Sequence, residues 1–298
     1  MSLVERMPRR VTVVEVGPRD GLQNEPDLVP VDAKIRFIEA LANAGLREVE
    51  ATSFVSPKAI PQLADAVEVM QRIERRPGTR YPVLVPNERG LERALEAGCD
   101  AIALFTAASE AFSQANVRAT IDETFERFTP VASKARAAGL YLRGYVSTVF
   151  NCPYSGPVAP RLVVDVTRRL FDLGCDEVSL ADTIGTATPA EVDRLLADVQ
   201  REIGLDRIAL HFHDTNGLAV ANVMIGLDYG ISVFDSAAGG LGGCPFAPGA
   251  PGNLATEKLL GLLHGLEIET GVDLAAVERA VEDLRQAVPT IGSSHRRD

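Results

Sequence analysis

The chain has 298 residues, 46% hydrophobic and 24% charged, with a formal net charge of −11. That is the usage of an ordinary globular protein, and the length suits two average domains or one large α/β barrel. The acidic balance, the missing tryptophan and the lack of a basic stripe argue against a nucleic-acid partner, and no apolar run approaches the ~20 residues that cross a bilayer.

Four cysteines (Cys99, Cys152, Cys175 and Cys244) lie far apart with no CxxC pair, which argues against a disulfide framework or a zinc ribbon. The N-terminus, MSLVERMPRR, is basic but leads into no apolar core, unlike a secretory signal. A cytoplasmic setting is therefore expected.

From the N-terminus on, one pattern recurs: a short β-branched run ends in polar residues, and an amphipathic stretch follows. The runs are VTVVEV (11–16), EVEATSF (48–54), YPVLV (81–85), AIALF (101–105), YLRGYVS (141–147), EVSLAD (177–182), RIALHFHD (207–214) and VFDSAAGG (233–240). Between them stand helical candidates such as AKIRFIEALANAG, ERGLERALEAG and PRLVVDVTRRLFDLG. Gly45, Gly98, Gly139 and Gly174 suit helix C-termini, and Pro189 after Thr188 suits a first helical turn.

Eight strand–helix units without a composition break predict a single (β/α)8 TIM barrel over residues 11–264 within one catalytic domain. LAAVERAVEDLRQAV belongs to a short C-terminal helical appendage over 265–298. A doubly wound sheet is the alternative, but the turn after the first strand, VGPRDGLQNE, is not a dinucleotide fingerprint.

In such barrels the chemistry stands at the C-terminal strand ends. That rule selects Arg19 and Asp20 after strand 1, Glu50 on strand 2, Asp182 ending strand 6, His211 and His213 on strand 7, and Cys244 and Asn253 after strand 8. His211 and His213 share a strand face, so their imidazoles emerge side by side, a standard start to a metal site. A carboxylate and an amide from other strands would shift the preference toward a harder divalent ion.

Glu50 needs a cation, and Arg19 on the neighbouring strand can supply it. Arg19 and Asp20 could equally form a surface ion pair, and Asp182 could cap the following helix. Cys99 and Cys175, each just before a strand, read as small buried hydrophobes. Cys152 falls in a loop. Cys244 differs because the glycines and prolines around it let a substrate approach the sulfur.

Five stretches in order, EVGPRDGLQNE (15–25), VEATSFVSPK (49–58), LADTIGTATP (180–189), LHFHDTNGLAVAN (210–222) and GGLGGCPFAPGAPGNLATE (239–257), resemble the 3-hydroxy-3-methylglutaryl-CoA lyase family. They span nearly the whole chain. The wider group is the metal-dependent TIM-barrel carbon–carbon lyases and synthases, and the cysteine loop points to the lyases within it.

The resemblance implies divalent-metal-dependent retro-aldol cleavage of 3-hydroxy-3-methylglutaryl-CoA to acetyl-CoA and acetoacetate, as in leucine degradation and ketone-body metabolism. It implies a Mg2+ or Mn2+ ion on Asp20, His211, His213 and Asn253, with Asp20 and the two histidines all candidates for the base. Arg19 would stabilise the enolate oxygen and Glu50 would hold that arginine. Arg19, Gln23 and Asp182 would meet the substrate, and Cys244, on a loop that closes over it, would take part in proton transfer. The implied partner is a small acyl-CoA, with neither nucleic acid nor membrane, and the expected assembly is a homo-oligomer, a dimer or larger. The alternatives are a lyase for a longer or branched 3-hydroxyacyl-CoA, an HxH metal hydrolase, and a non-catalytic binding barrel.

Overall fold

The computed structural model describes residues 6–243 and 252–292, and its elements follow the sequence pattern closely. The first half comprises β1 (Thr12–Glu15), α1 (Val31–Asn43), β2 (Glu48–Val49), β3 (Thr52–Ser53), α2 (Ala66–Arg72), β4 (Val83–Leu84), α3 (Glu88–Glu96), β5 (Ala101–Ala107), α4 (Glu110–Val117) and α5 (Ile121–Ala137). There follow β6 (Tyr141–Ser147), a small hairpin of β7 (Asn151–Cys152) and β8 (Gly156–Pro157), α6 (Pro160–Asp172), β9 (Glu177–Asp182), α7 (Pro189–Glu202), β10 (Ile208–Phe212), α8 (Ala219–Asp228), β11 (Val233–Ser236), α9 (Thr256–Gly265) and α10 (Leu274–Ala287).

The large sheet is parallel throughout, in the order β2-β1-β11-β10-β9-β6-β5-β4-β3. Its two ends are halves of one strand, interrupted at Glu50 and Ala51. Across the interruption Glu50 N donates to Glu15 O (2.8 Å) on one side and Ala51 N to Pro82 O (3.0 Å) on the other. The sheet therefore closes into a barrel of eight staves, which leaves no exposed sheet edge. The eight apolar runs supply those staves.

The helices start and stop where local chemistry requires. Thr188 caps α7 in a reciprocal box with Glu191, and Pro189 occupies the first turn. Thr120 and Glu123 do the same for α5. Gly45 adopts φ of 104° after α1. A Cβ there would also run into the Gly271 carbonyl, because the lead-in to α10 crosses this point. Asp273 N then donates to Ala44 O (2.8 Å), so the appended α10 lies on α1. Gly292 N reaches Glu25 Oε2 (3.0 Å), tying the C-terminal segment back to the first barrel loop.

Two local features escape the sequence pattern, the extra helix α4 and the β7–β8 hairpin that holds Cys152. Replacing Thr188 by alanine should remove one cap and leave the N-terminal N–H groups of α7 short of an acceptor. The expected cost is about 1 kcal/mol, read as a lower urea midpoint with an unchanged slope.

Candidate active site at the carboxyl ends of the strands

After β1 the backbone makes a wide turn in which one carbonyl, Val16 O, accepts from Arg19 N (3.1 Å), Asp20 N (2.7 Å) and Gly21 N (3.2 Å). Widened turns of this kind recur at functional sites. Arg19 Nε and Nη2 both bond Glu50 Oε2 (2.8 and 2.7 Å), and Nη1 bonds Asp20 Oδ1 (2.6 Å). A guanidinium carries five N–H groups, so three are engaged by described residues and two are left for another acceptor. Arg19 lines the cavity at the barrel mouth. Burial opposes its charge, but Glu50 and Asp20 more than compensate and drive its pKa upward.

Opposite this pair, His211 and His213 stand side by side, ring centroids 5.2 Å apart. Ligand atoms of Asp20, His211 and His213 all lie within 4.8 Å of one another. Burial pulls the His213 imidazole down to about 4, with His211 acting the same way, which keeps it in the neutral form that binds metals. Burial works against the Asp20 charge, yet Arg19, the two histidines and the Asn253 amide outweigh it and hold the carboxyl below its usual range.

Asn253 arrives from the far end of the chain by backbone pairing. Asp214 N donates to Gly252 O (3.1 Å) and Leu254 N to Phe212 O (2.9 Å), so residue 253 faces His213 in an antiparallel bridge. On the other side Ala237 N donates to Leu254 O (3.0 Å) and Thr256 N to Ala237 O (3.1 Å). The returning segment is thus pinned between the ends of β10 and β11. The Asn253 amide nitrogen donates to Asp20 Oδ2 (2.9 Å) and Leu241 O (3.0 Å).

Two buried atoms in this group, Asn253 Oδ1 and His213 Nδ1, have no hydrogen-bond partner. Buried acceptors are rarely left unsatisfied without reason. An ion bound among Asp20, His211, His213 and Asn253 would supply one, so the residues present fit a divalent cation.

Below the mouth a buried polar network supports both halves. Asp235 Oδ2 faces His211 Nδ1 (3.2 Å) and accepts from Ser179 Oγ (2.8 Å), while Arg143 Nη2 bonds Asp235 Oδ1 (2.6 Å). With Nδ1 given to Asp235, Nε2 is the nitrogen of His211 left for a ligand role. Burial opposes the Asp235 charge, but Arg143, together with His211, holds its carboxyl down at about 2. The Tyr145 hydroxyl donates to Glu50 Oε2 (3.2 Å) and accepts from Arg143 Nη1 (2.7 Å).

The cavity over these groups, about 120 Å3, shares Arg19 and Gln23 with a side chamber of about 670 Å3 toward β4, α4 and α5.

A model of the HMGL-like family matches residues 10–284. The chain belongs to the HMGL-like family. The mitochondrial hydroxymethylglutaryl-CoA lyase of Bos taurus is 50% identical over 287 residues, covering 96% of this chain and 88% of the relative. A crystal structure of hydroxymethylglutaryl-CoA lyase from Pseudomonas aeruginosa superposes with a TM-score of 0.93 at 50% identity, covering 95% of this chain and 94% of that one. An HMG-CoA lyase from Acinetobacter baumannii, solved in complex with coenzyme A and 3-methylmalate, gives a TM-score of 0.88 at 40% identity, with 95% and 92% covered.

In this HMGL-like barrel, Arg19, Asp20, Glu50, His211, His213 and Asn253 converge. Gln23 joins them, its amide donating to Asp20 Oδ1 (3.2 Å) at the cavity wall. Asp182 is buried between Ala181 and Thr183, which line the cavity. Its carboxylate accepts from Thr186 N (3.2 Å) and Ala187 N (3.0 Å) and so fastens the loop after β9, with burial pushing it up to about 6 against those bonds. Cys244 lies outside the described residues. Cys99 and Cys175 are buried and their thiols are pushed up to about 12 by that burial, consistent with packing roles.

The sequence pattern missed Tyr145, Arg143, Asp235, Ser179 and Glu15. A weak signal existed, since Arg143 and Tyr145 sit two apart on one strand face of an otherwise apolar run.

Glu15 fastens three segments at once. Its carboxylate accepts from Gly17 N (2.8 Å) in the Arg19 turn, from Ala238 N (2.8 Å) after β11 and from Thr256 Oγ1 (2.7 Å) beyond Asn253. Burial raises it from 4.5 to about 8 despite those donors. A raised carboxyl contributes stability that is complete below its unfolded value and is lost as pH climbs through the folded value. Glutamine does not titrate: its oxygen can still accept from Gly17 N and Ala238 N, while its amide nitrogen would donate to Thr256 Oγ1 in place of accepting from it. The advantage of the parent over Glu15→Gln should therefore shrink between pH 4.5 and about 8. Urea midpoints of both proteins across that range check this, and parallel profiles would contradict it.

Proposed function

We propose that the chain is a divalent-metal-dependent hydroxymethylglutaryl-CoA lyase that cleaves 3-hydroxy-3-methylglutaryl-CoA to acetyl-CoA and acetoacetate. One observation carries this reading: a cluster of the half-buried Asp20 with the buried His211 and His213, and an orphaned Asn253 oxygen, stands beside an arginine that Glu50 holds at the same cavity. Names of relatives at about half identity agree with it.

In the reaction the C3 hydroxyl gives up its proton and its oxygen becomes the ketone of acetoacetate. The C2–C3 bond breaks, its electron pair passes to C2 and the thioester, and C2 takes a proton to become the methyl of acetyl-CoA. Atoms balance with no added oxidant or reductant.

Asp20, His211, His213 and Asn253 would hold the ion. Their oxygen and nitrogen donors, with no thiolate, suit Mg2+ or Mn2+. Such an ion, when bound, would polarise the substrate hydroxyl and ease its deprotonation.

The chain's own residues do the rest. The two remaining N–H groups of Arg19 meet charge as it develops on the thioester oxygen, an interaction that strengthens toward the transition state. Glu50 and Tyr145 keep the guanidinium from rotating away. Gln23 fixes Asp20 from the cavity wall, Asp182 acts by shaping the β9 loop, and Cys244 delivers the proton to C2.

We further assign the chain as one catalytic barrel domain with its C-terminal appendage, acting in the cytoplasm as a homo-oligomer. Among the described residues no helix is long and apolar enough to cross a membrane. Relatives carry both mitochondrial and cytoplasmic names.

Stripping divalent ions with a chelator and dialysing should abolish acetoacetate release, and adding back Mg2+ or Mn2+ should restore it. Full activity in metal-free protein would overturn the assignment. Arg19→Lys keeps the charge but loses the planar fork. Its kcat should fall roughly 10²–10³-fold with KM much less changed. A near-normal kcat would make Arg19 a structural residue only.

A further inference from the structure

Arg143 is fully buried on the inner face of β6, two residues below Tyr145. A cation here is costly, and a well-packed apolar side chain of similar size often serves stability as well or better. Yet its donors are committed. Nε bonds Glu177 Oε1 (2.8 Å), Nη2 bonds Asp235 Oδ1 (2.6 Å), and Nη1 is shared between the Tyr145 hydroxyl (2.7 Å) and Asp235 Oδ2 (3.2 Å).

Two of those contacts lead in different directions. Asp235 passes to His211 Nδ1, on the metal-holding side of the cavity. Tyr145 passes to Glu50 Oε2, the same oxygen that holds Arg19 by two bonds. No other described side chain contacts both Asp235 and Tyr145 through hydrogen bonds. We infer that Arg143 is a positioning residue that sets His211 and Arg19 in a common register, through Asp235 on one branch and Tyr145 on the other. A lysine cannot do both, because a point charge on a flexible stem lacks the planar fork that spans the two acceptors.

This inference rests on the lyase reading, and three variants separate the two. They are Arg143→Lys, Asp235→Asn and Tyr145→Phe, each measured for Mn2+ affinity by calorimetry on metal-stripped protein, for kcat and KM of acetoacetate release, and for melting temperature. Asp235→Asn should weaken Mn2+ binding about 10–100-fold, the usual effect of losing a partner behind a metal ligand. Tyr145→Phe should leave Mn2+ affinity within about twofold and lower kcat about 10-fold or more with little change in KM. Arg143→Lys should show both defects.

If Arg143→Lys loses only melting temperature, with Mn2+ affinity and kcat intact, the residue is structural and the inference is overturned. Should Arg143→Lys fail to fold, the other two variants decide. Unchanged Mn2+ affinity in Asp235→Asn overturns the His211 branch, and unchanged kcat in Tyr145→Phe overturns the Arg19 branch. A parent protein that binds Mn2+ but releases no acetoacetate overturns the functional reading and the Arg19 branch with it, while the Mn2+ affinities still decide the other branch.

Discussion

A buried ion pair, Arg19 with Glu50, is the constraint around which the mouth of this barrel is built. Neither group can stay charged inside the protein alone. Burial pushes the Glu50 carboxyl upward and would lower the guanidinium, and each is offset by the other. The geometry that satisfies them is narrow: two bonds to a single carboxylate oxygen, a third to Asp20, and a tyrosine hydroxyl sharing the Glu50 oxygen. Glu50 faces the site by the alternation of the second stave, and its backbone pairs with Glu15. A donor fixed in advance needs no reorganisation when charge develops, which is where electrostatic catalysis gains most.

The side that carries the two histidines depends on a different device, the threading of residues 252–256 between the ends of β10 and β11. That pairing brings an amide separated from Asp20 by most of the chain to within hydrogen-bond distance of it. Asp20 belongs to both halves, since it accepts from Arg19 on one oxygen and from Asn253 on the other. The two sides are therefore mechanically coupled at the mouth through Asp20, and again within the barrel through the buried arginine network.

Much of this is legible in the sequence. Strand runs of β-branched residues, glycines at helix ends and the Thr188–Pro189 start are local signals, and local signals survive in a sequence. The HxH spacing needed only the period of a strand to place two imidazoles on one face. Arg19, Asp20, Glu50 and Asn253 could be grouped because each ends a stave or follows one.

Arg143, Tyr145 and Asp235 could not be grouped in that way. Each interrupts an apolar run, and apart from the Arg143–Tyr145 contact within β6 its meaning lies in partners from other strands, up to 95 residues away. Glu15 is harder still, because its three donors are two backbone N–H groups and a hydroxyl, which leave no charge pattern to find. Asp182 is a carboxylate at a strand end whose position also suited a helix cap, and its oxygens accept from the backbone of the loop that leads to α7.

The bond that breaks is the point on which the whole account turns. A metal site facing a thioester could also belong to a hydrolase, which would leave the carbon skeleton intact. Mass spectrometry of the products formed from 3-hydroxy-3-methylglutaryl-CoA in D2O separates the two directly. Carbon–carbon cleavage with protonation at C2 predicts acetyl-CoA carrying deuterium in its methyl group, formed together with an equal amount of acetoacetate. Free coenzyme A with intact 3-hydroxy-3-methylglutarate would contradict it.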